Sequence, residues 1–207
     1  MKTFLVTSQK GGSGKTTLTA HLAVEIERAD SARVYLLDTD RQASLSTWHS
    51  RREKETPARA DIPFHRIGEG FEKIEDVADY CLIDSSPTIN EQTAILISLS
   101  DLILIPVRPS PTDLWSVGET VDLVKKAGKP FLFVINQAKG NAIITAQAVA
   151  ALSKHGPVAQ TFIADRVVYA SAMTGGNTAP EVGKGPANGE VEAMWREIKV
   201  FCNSLFR

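Results

Sequence analysis

The chain has 207 residues, with 23 basic and 24 acidic side chains and a formal net charge of −1. Its 43% apolar and 23% charged residues are typical of a globular protein and exclude a disordered, collagen-like or coiled-coil chain. The charge balance excludes a polycation that binds nucleic acid through its overall charge, and no apolar run reaches the roughly 18–20 residues of a membrane span. Cys81 and Cys202 lie in apolar patterns, which predicts two buried free thiols in a reducing cytosol.

Apolar, β-branched segments alternate with segments of helical character along the whole chain. Strands are predicted at residues 3–7, 33–37, 63–67, 80–83, 102–107, 131–135 and 158–163. Helices are predicted at residues 17–28, 42–53, 90–100, 111–126, 142–154 and 190–206. Most of the predicted strands are continuous apolar runs, as expected for parallel strands covered by helices on both faces. The alternation predicts an α/β fold in which residues 1–207 form one domain, with a mostly parallel twisted sheet and helices on both faces.

The C-terminal part combines a predicted loop with a predicted amphipathic helix. Residues 174–189 contain five glycines and two prolines, which predicts a long loop of the kind that is often functional. The helix that follows has one apolar stripe, and its polar residues include acidic as well as basic side chains, so we expect it to pack on the core rather than attach to a membrane. The stripe consists of Val191, Met194, Trp195, Ile198, Phe201, Cys202 and Leu205.

The strongest motif is a glycine-rich loop between the first predicted strand and the first predicted helix. Residues 9–17 read Gln-Lys-Gly-Gly-Ser-Gly-Lys-Thr-Thr, the context and register of a phosphate-binding loop, although Gln9 stands where the ordinary pattern has glycine. Glycines let backbone N–H groups converge on phosphate oxygens, and the helix start adds a positive dipole end. The predicted nucleotide-binding residues are Gly11, Gly12, Ser13, Gly14, Lys15, Thr16 and Thr17.

Two side chains of this loop have distinct predicted roles in a P-loop NTPase. Lys15 would reach the β- and γ-phosphates, and we expect it to face solvent when no nucleotide is bound. The hydroxyl of Thr16 would ligate Mg²⁺.

Carboxylates end two of the predicted strands. Asp38 and Asp40 are two residues apart and therefore point the same way, and Asp84 ends the strand at 80–83. At the carboxyl edge of a parallel sheet such side chains face the ligand crevice, where Mg²⁺ binds through few protein ligands and several waters. For any one of the three, capping the next helix is the alternative interpretation.

The string at residues 10–17 resembles the deviant Walker A motif of the ParA/MinD family of P-loop ATPases. The resemblance implies that ATP and Mg²⁺ are the cofactors. It also implies a homodimer that sandwiches two ATP molecules, with Lys10 reaching across the interface to the partner's nucleotide.

The resemblance extends to the carboxylates and to the strand at 131–135. Residues 38–42, Asp-Thr-Asp-Arg-Gln, are similar to the family's Asp-x-Asp-Pro-Gln motif, with Arg41 in place of proline. This implies that Asp40 orients the attacking water and that Asp38 helps order the water shell of the metal. Asp84 matches the Walker B aspartate.

Asn136 matches an asparagine that binds the adenine edge, although an asparagine that ends a strand is also a common turn former.

Further segments resemble the short, ParF-like members of the family. Residues 106–111 read Pro-Val-Arg-Pro-Ser-Pro, which implies a place at the dimer interface, and residues 166–169 and 189–192 are also similar. The resemblance implies a Mg²⁺-dependent ATPase that forms ADP and phosphate, and that segregates plasmid or chromosomal DNA or positions another cargo on the nucleoid. The implied partners are nonspecific duplex DNA and a ParB-like or cargo-adaptor protein that stimulates hydrolysis, in the cytoplasm on the nucleoid.

Two alternatives stay open at this level. A MinD-like membrane-associated switch shares the phosphate loop, and so does a metabolic ligase of the dethiobiotin synthetase or cobyrinate amidase kind. Lys10 and the Pro-Ser-Pro segment favour the ParA interpretation over the ligase.

Overall fold

The computed structural model describes residues 1–140 and 142–205, and within them six strands form one sheet. The strands are β1 (Lys2–Val6), β2 (Val34–Asp38), β3 (Ala58–Ala60), β4 (Tyr80–Asp84), β5 (Leu102–Val107) and β6 (Phe131–Ile135). Their order is β3-β2-β4-β1-β5-β6, and every pair is parallel. The predicted α/β class with a parallel sheet is therefore confirmed.

Helices connect these strands and cover the sheet. They are α1 (Lys15–Asp30), α2 (Ser44–Ser50), α3 (Ile67–Glu75), α4 (Glu91–Leu99), α5 (Pro111–Trp115), α6 (Val117–Lys126), α7 (Ala142–Leu152), α8 (Val167–Thr174), α9 (Ala179–Val182) and α10 (Pro186–Leu205). The helix predicted at 111–126 is divided at Ser116, which ends α5 and precedes α6. Among the helices described, none has the length and apolarity needed to cross a bilayer.

The sheet separates two buried apolar layers, because successive strand side chains point to opposite faces. Phe4 of β1 lies in a layer with α1, α2 and α10, whereas its neighbour Leu5 lies in a layer with α3, α4, α6 and α7. Both cysteines are free and buried, as predicted.

Most of the apolar stripe of α10 packs into the first of these layers, although Leu205 is exposed. Val191, Met194, Trp195, Ile198 and Cys202 are buried, which confirms the predicted core-packing helix. Phe206, its predicted last residue, lies outside the described residues.

Two predicted strands are wrong. Residues 63–67 form a 3-10 turn, Phe64–Arg66, and the start of α3, because Ile67, Gly70 and Ile74 form one buried helical face. The third strand is instead Ala58–Ala60, a short edge strand paired with β2.

The segment at 158–163 runs beside β6 without forming a strand, and only Val158 makes a bridge, to Phe133. Two of its amides turn away from the sheet, since the N–H groups of Gln160 and Thr161 donate to the carboxylate of Glu197 on α10. Because these two N–H groups bond Glu197, the hydrogen bonds between this segment and β6 are interrupted. The predicted strand therefore does not form.

The long loop predicted at 174–189 is also wrong, because it contains α9 and the start of α10. Thr178 and Glu181 form a capping box at the start of α9. In it, the carboxylate of Glu181 accepts a 2.9 Å hydrogen bond from the backbone N–H of Thr178. Pro180 lies in the first turn of α9 and Pro186 begins α10, where a proline loses no helical hydrogen bond.

Candidate functional site

The phosphate-binding loop joins β1 to α1 and depends on glycine at two positions. Gly12 has φ +74° and Gly14 has φ +87°, in the left-handed region that other residues rarely adopt. A Cβ at Gly14 would also overlap the side-chain amide of Asn136. The hydroxyl of Ser13 is buried and has no hydrogen-bond partner. The sequence therefore folds into the predicted loop through local backbone geometry and close packing.

Lys15 and Thr16 begin α1 beneath this loop. Lys15 is only 7% exposed, so the expectation that it faces solvent is wrong. Its ammonium lies 3.5 Å from the carbonyl oxygen of Lys10, and burial lowers its pKa, partly offset by the carboxylates of Asp84 and Asp40. A buried ammonium with a lowered pKa gains from an anionic ligand, which is what a phosphate would supply.

Asp84 ends β4 directly opposite Asp38 of β2. Its Oδ2 accepts a 2.6 Å hydrogen bond from the hydroxyl of Thr16, while its Oδ1 is buried without a partner. Burial, with a smaller contribution from nearby Asp38, raises the pKa of Asp84 to about 7 against the opposing effect of the Thr16 bond. The structure thus places an incompletely paired carboxylate beside a hydroxyl at the base of the loop.

This arrangement fits Mg²⁺ chemically. Mg²⁺ takes oxygen ligands, keeps several waters and needs only one or two protein ligands, so Thr16 and the unpaired oxygen of Asp84 are suitable. No group of three or more His, Cys, Asp or Glu residues with the geometry of a metal cage occurs among residues 1–140 and 142–205.

The loop after β2 carries the other two carboxylates. Asp38 accepts from the backbone N–H of Asp40 at 3.1 Å and of Ser46 at 2.8 Å, so it fixes the start of α2. Asp40 accepts from the N–H of Gln42 and lines the same cavity as Lys15. The helix-cap interpretation therefore describes the hydrogen bonds of Asp38, and Asp40 is the carboxylate that faces the cavity.

Asn136 follows β6 and lies behind the phosphate loop. It is 4% exposed and its amide donates to the carbonyl of Ser13 at 2.8 Å. The next residue, Gln137, has φ +53° and donates to the carbonyl of Gly12 at 3.1 Å. Gln137 lines the cavity, whereas Asn136 supports the loop from below. The adenine-binding role of Asn136 stays a prediction.

An open cavity of about 640 Å³ lies over the loop. One wall is α2 and the other is α8, a helix that the sequence patterns did not predict. Outside the phosphate loop, the residues that line the cavity include Asp40, Thr47, Trp48, Arg51, Gln137, Ala170, Met173 and Thr174. The apolar run at residues 167–170, Val-Val-Tyr-Ala, is the signal in the sequence that would have located α8.

The proline segment at 106–111 lies next to the phosphate loop. Arg108 donates from Nε and Nη2 to the buried carboxylate of Asp113, both at 2.9 Å, and Ser110 also donates to that carboxylate. The remaining guanidinium nitrogen, Nη1, would be 3.7 Å from a Cβ placed on Gly12. The segment thus brings a fixed cation to the outer side of the loop.

Comparison with known proteins agrees with this geometry. Residues 4–178 match the sequence pattern of the CobQ/CobB/MinD/ParA nucleotide binding domain. The chain is 29% identical over 191 residues to the maintenance of carboxysome distribution protein A of Halothiobacillus neapolitanus, covering 87% of this chain and 88% of that protein.

Solved structures share the fold. An ATP complex of McdA from Cyanothece superposes with a TM-score of 0.78 at 19% identity, covering 96% of each chain. The MinD cell division protein of Aquifex aeolicus has a TM-score of 0.79 at 21% identity, covering 96% of this chain and 97% of that one.

Proposed function

Because the chain belongs to the CobQ/CobB/MinD/ParA nucleotide-binding family, we propose that it is a ParA-type ATPase that positions a cargo by cycles of ATP binding and hydrolysis. A relative that aligns over 87% of the chain is named for carboxysome distribution, and the fold is that of McdA and MinD. The cargo is a plasmid, a chromosome or another large assembly on the nucleoid.

The observation that carries this proposal is the pair formed by Thr16 and Asp84 beneath a phosphate loop. A buried carboxylate with one unpartnered oxygen is costly unless a ligand completes it. With the buried ammonium of Lys15 at the same cavity, the site has hydrogen-bond donors for a nucleoside triphosphate and oxygen atoms for its Mg²⁺.

The proposed mechanism relies on positioning and electrostatics. Backbone N–H groups of residues 11–16 and the ammonium of Lys15 hold the phosphates and stabilise the charge that develops on the transferring group. Thr16 and Asp84 would hold Mg²⁺, which would neutralise phosphate charge, and Asp38 would help to order its water shell. Asp40 accepts a hydrogen bond from the attacking water and aligns it with the γ-phosphate.

The proposed active form is a homodimer with two ATP molecules at its interface. Lys10 acts on the partner's nucleotide, as the resemblance of the motif implies. The fixed guanidinium of Arg108 beside Gly12 supports an anionic neighbour on this face of the loop. We also propose that the ATP dimer binds duplex DNA without sequence preference in the cytoplasm, and that a ParB-like or cargo-adaptor protein stimulates hydrolysis.

The test is Lys15→Ala, with Lys154→Ala in the exposed turn after α7 as the matched control. We expect Lys15→Ala to abolish ATP hydrolysis, because the loop loses its charge on the β- and γ-phosphates, and to keep the fold by circular dichroism. Lys154→Ala should hydrolyse ATP like the wild type. Undiminished turnover and ATP affinity in Lys15→Ala, measured by phosphate release and isothermal titration, would remove the basis of the proposal.

A further inference from the structure

A buried ion pair ties the end of α2 to α9. Arg52 donates from Nη2 to Oε1 of Glu181 at 2.9 Å and from Nη1 to Oε2 at 3.1 Å. The two side chains are 2% and 6% exposed. Burying such a pair often contributes little net stability, because desolvation offsets the attraction. The pair therefore matters more for how it fixes the end of α2 against α9 than for the stability it adds.

The remaining donors of Arg52 are used as well. Nη1 also donates to the carbonyl of Gly176 at 2.8 Å, and Nε and Nη2 donate to the carbonyl of Thr56 at 3.0 and 2.8 Å. The guanidinium lies 4.7 Å from the ring centroid of Trp48. A planar fork with this many partners fixes position and orientation in a way that a lysine ammonium does not.

The backbones around the pair also touch. The indole N–H of Trp48 donates to the carbonyl of Asn177 at 3.1 Å. Gly176 has φ +74°, and a Cβ there would overlap the backbone of Arg51. The turn at 175–178 is thus packed directly on the last turn of α2.

The turn at 175–178 and α9 follow directly on α8, so the pair holds α2 beside the other wall of the nucleotide cavity. On one side, α2 begins where Asp38 accepts from the N–H of Ser46, and it follows directly on the loop that carries Asp40. On the other side, Met173 and Thr174 of α8 line the cavity just before the turn that contacts α2. A displacement of α2 would therefore move the Asp40 loop relative to the bound nucleotide.

We propose that Arg52 and Glu181 are positioning residues for ATP hydrolysis. They hold α2 against the turn between α8 and α9 and thereby fix Asp40 at the distance from the γ-phosphate that hydrolysis needs. Neither residue is among those that line the cavity, and the Arg52 fork is occupied by Glu181 and backbone carbonyls. The inference rests on the proposed function, because hydrolysis is the reaction whose geometry the pair controls.

The experiment compares Arg52→Lys and Glu181→Gln with the wild type. Lysine keeps the charge but loses the fork, and glutamine keeps the shape but loses the charge. We expect kcat to fall by about tenfold to a hundredfold, the size of effect that misplacement by about 1 Å produces. The Kd for ATP should change by less than about threefold, because the phosphate loop is untouched. The double variant should be no slower than the slower single variant, because both changes release the same contact.

The matched control is Glu192→Gln, which breaks an exposed pair with Arg196 on α10. Its kcat should equal that of the wild type. If one buried-pair variant does not fold, the other carries the same readout. Thr178→Ala, which removes one hydrogen bond to Glu181, is a third and milder variant.

The outcomes separate the two proposals. A wild-type protein that does not hydrolyse ATP overturns the proposed function itself. An active wild type with buried-pair variants that unfold at a lower temperature but keep their kcat overturns the positioning role and leaves a structural one. A parallel loss of kcat and ATP affinity also overturns it, since the pair would then shape the binding site as a whole.

Discussion

At the residue scale, His21 connects α1 with α9 through both ring nitrogens. The N–H of Ala179 donates to Nε2 at 3.0 Å, so Nδ1 carries the proton and donates to the carbonyl of Thr17 at 2.8 Å. The ring is 1% exposed. Burial lowers the pKa of His21 from 6.5 to about 4. Protonation would also remove the acceptor that Ala179 needs.

A pH dependence of stability follows from this neutral ring. Between pH 6.5 and 4 the unfolded chain binds a proton at His21 that the folded protein does not. The stability that the neutral ring contributes is therefore complete above pH 6.5 and is lost as the pH falls towards 4. The full effect is on the order of 3 kcal/mol. Urea unfolding at pH 7, 5.5 and 4.5 should show a steeper loss for the wild type than for His21→Gln. Parallel pH profiles for the two proteins would contradict the assignment.

Asp84 gives a second prediction at this scale. Asp84→Asn removes a buried charge whose Oδ1 has no partner, and its amide oxygen can still accept from Thr16. In Mg²⁺-free buffer at pH 8 without nucleotide, we expect the variant to melt at a higher temperature than the wild type, because that charge is costly to bury. ATP hydrolysis should be lost. A lower melting temperature together with retained hydrolysis would show that the carboxylate has neither role.

At the element scale, α10 is held to the sheet by an aromatic cluster. The Trp195 ring lies 6.2 Å from the ring of Phe4 and 5.4 Å from that of Tyr80, measured between centroids. Its indole N–H is buried without a partner. The helix therefore contributes packing surface to the layer that supports α1 and, through α1, the phosphate loop.

Substitutions on the two faces of α10 should differ accordingly. Trp195→Ala should lower the free energy of unfolding by about 3–5 kcal/mol, because a large buried ring leaves a cavity. Val200→Ala, at a site that is 67% exposed, should change it by less than about 0.5 kcal/mol. Trp195→Phe should cost less than the alanine change, since it also removes the unpaired N–H. Guanidinium denaturation gives all three values, and equal losses at 195 and 200 would argue against a core-packing helix.

At the scale of the whole molecule, the proposed cycle has two steps that single residues should separate. Asp40→Ala should bind ATP and dimerise but hydrolyse it very slowly, because the attacking water is no longer aligned. Lys10→Ala should bind one ATP per chain but stay monomeric. Size-exclusion chromatography with ATP distinguishes the two states. A monomeric Asp40→Ala with a normally dimeric Lys10→Ala would reverse the assigned roles and favour the metabolic ligase.

DNA binding is the other property that belongs to the assembled protein. The net charge of −1 requires that any basic surface be local. We expect the ATP form to bind duplexes of unrelated sequence with similar affinity, and the affinity to fall steeply with salt as counterions are released. The ADP form should bind poorly. Fluorescence anisotropy at several salt concentrations measures this, with anionic vesicles as a parallel ligand. Binding to vesicles without binding to DNA would favour the MinD-like alternative.

The sequence by itself determined the features that depend on neighbouring residues. The phosphate loop requires left-handed glycines at 12 and 14, and its lysine and threonines fall in register directly after them. Continuous apolar runs marked β1, β2, β4, β5 and β6, because strands buried on both faces need apolar side chains at every position. β3 was not predicted, because Ala58–Ala60 has no continuous apolar run and becomes a strand only by pairing with β2.

The tertiary structure decided which distant residues meet. Arg52 and Glu181 are 129 positions apart, and no local pattern marks them as partners. The place of Asn136 behind Ser13, and of α8 along the cavity, likewise depends on how the sheet and helices pack. Local backbone geometry is a property of a few adjacent residues and can be read from them. A buried polar contact between remote segments exists only where the whole fold removes water and brings both partners together.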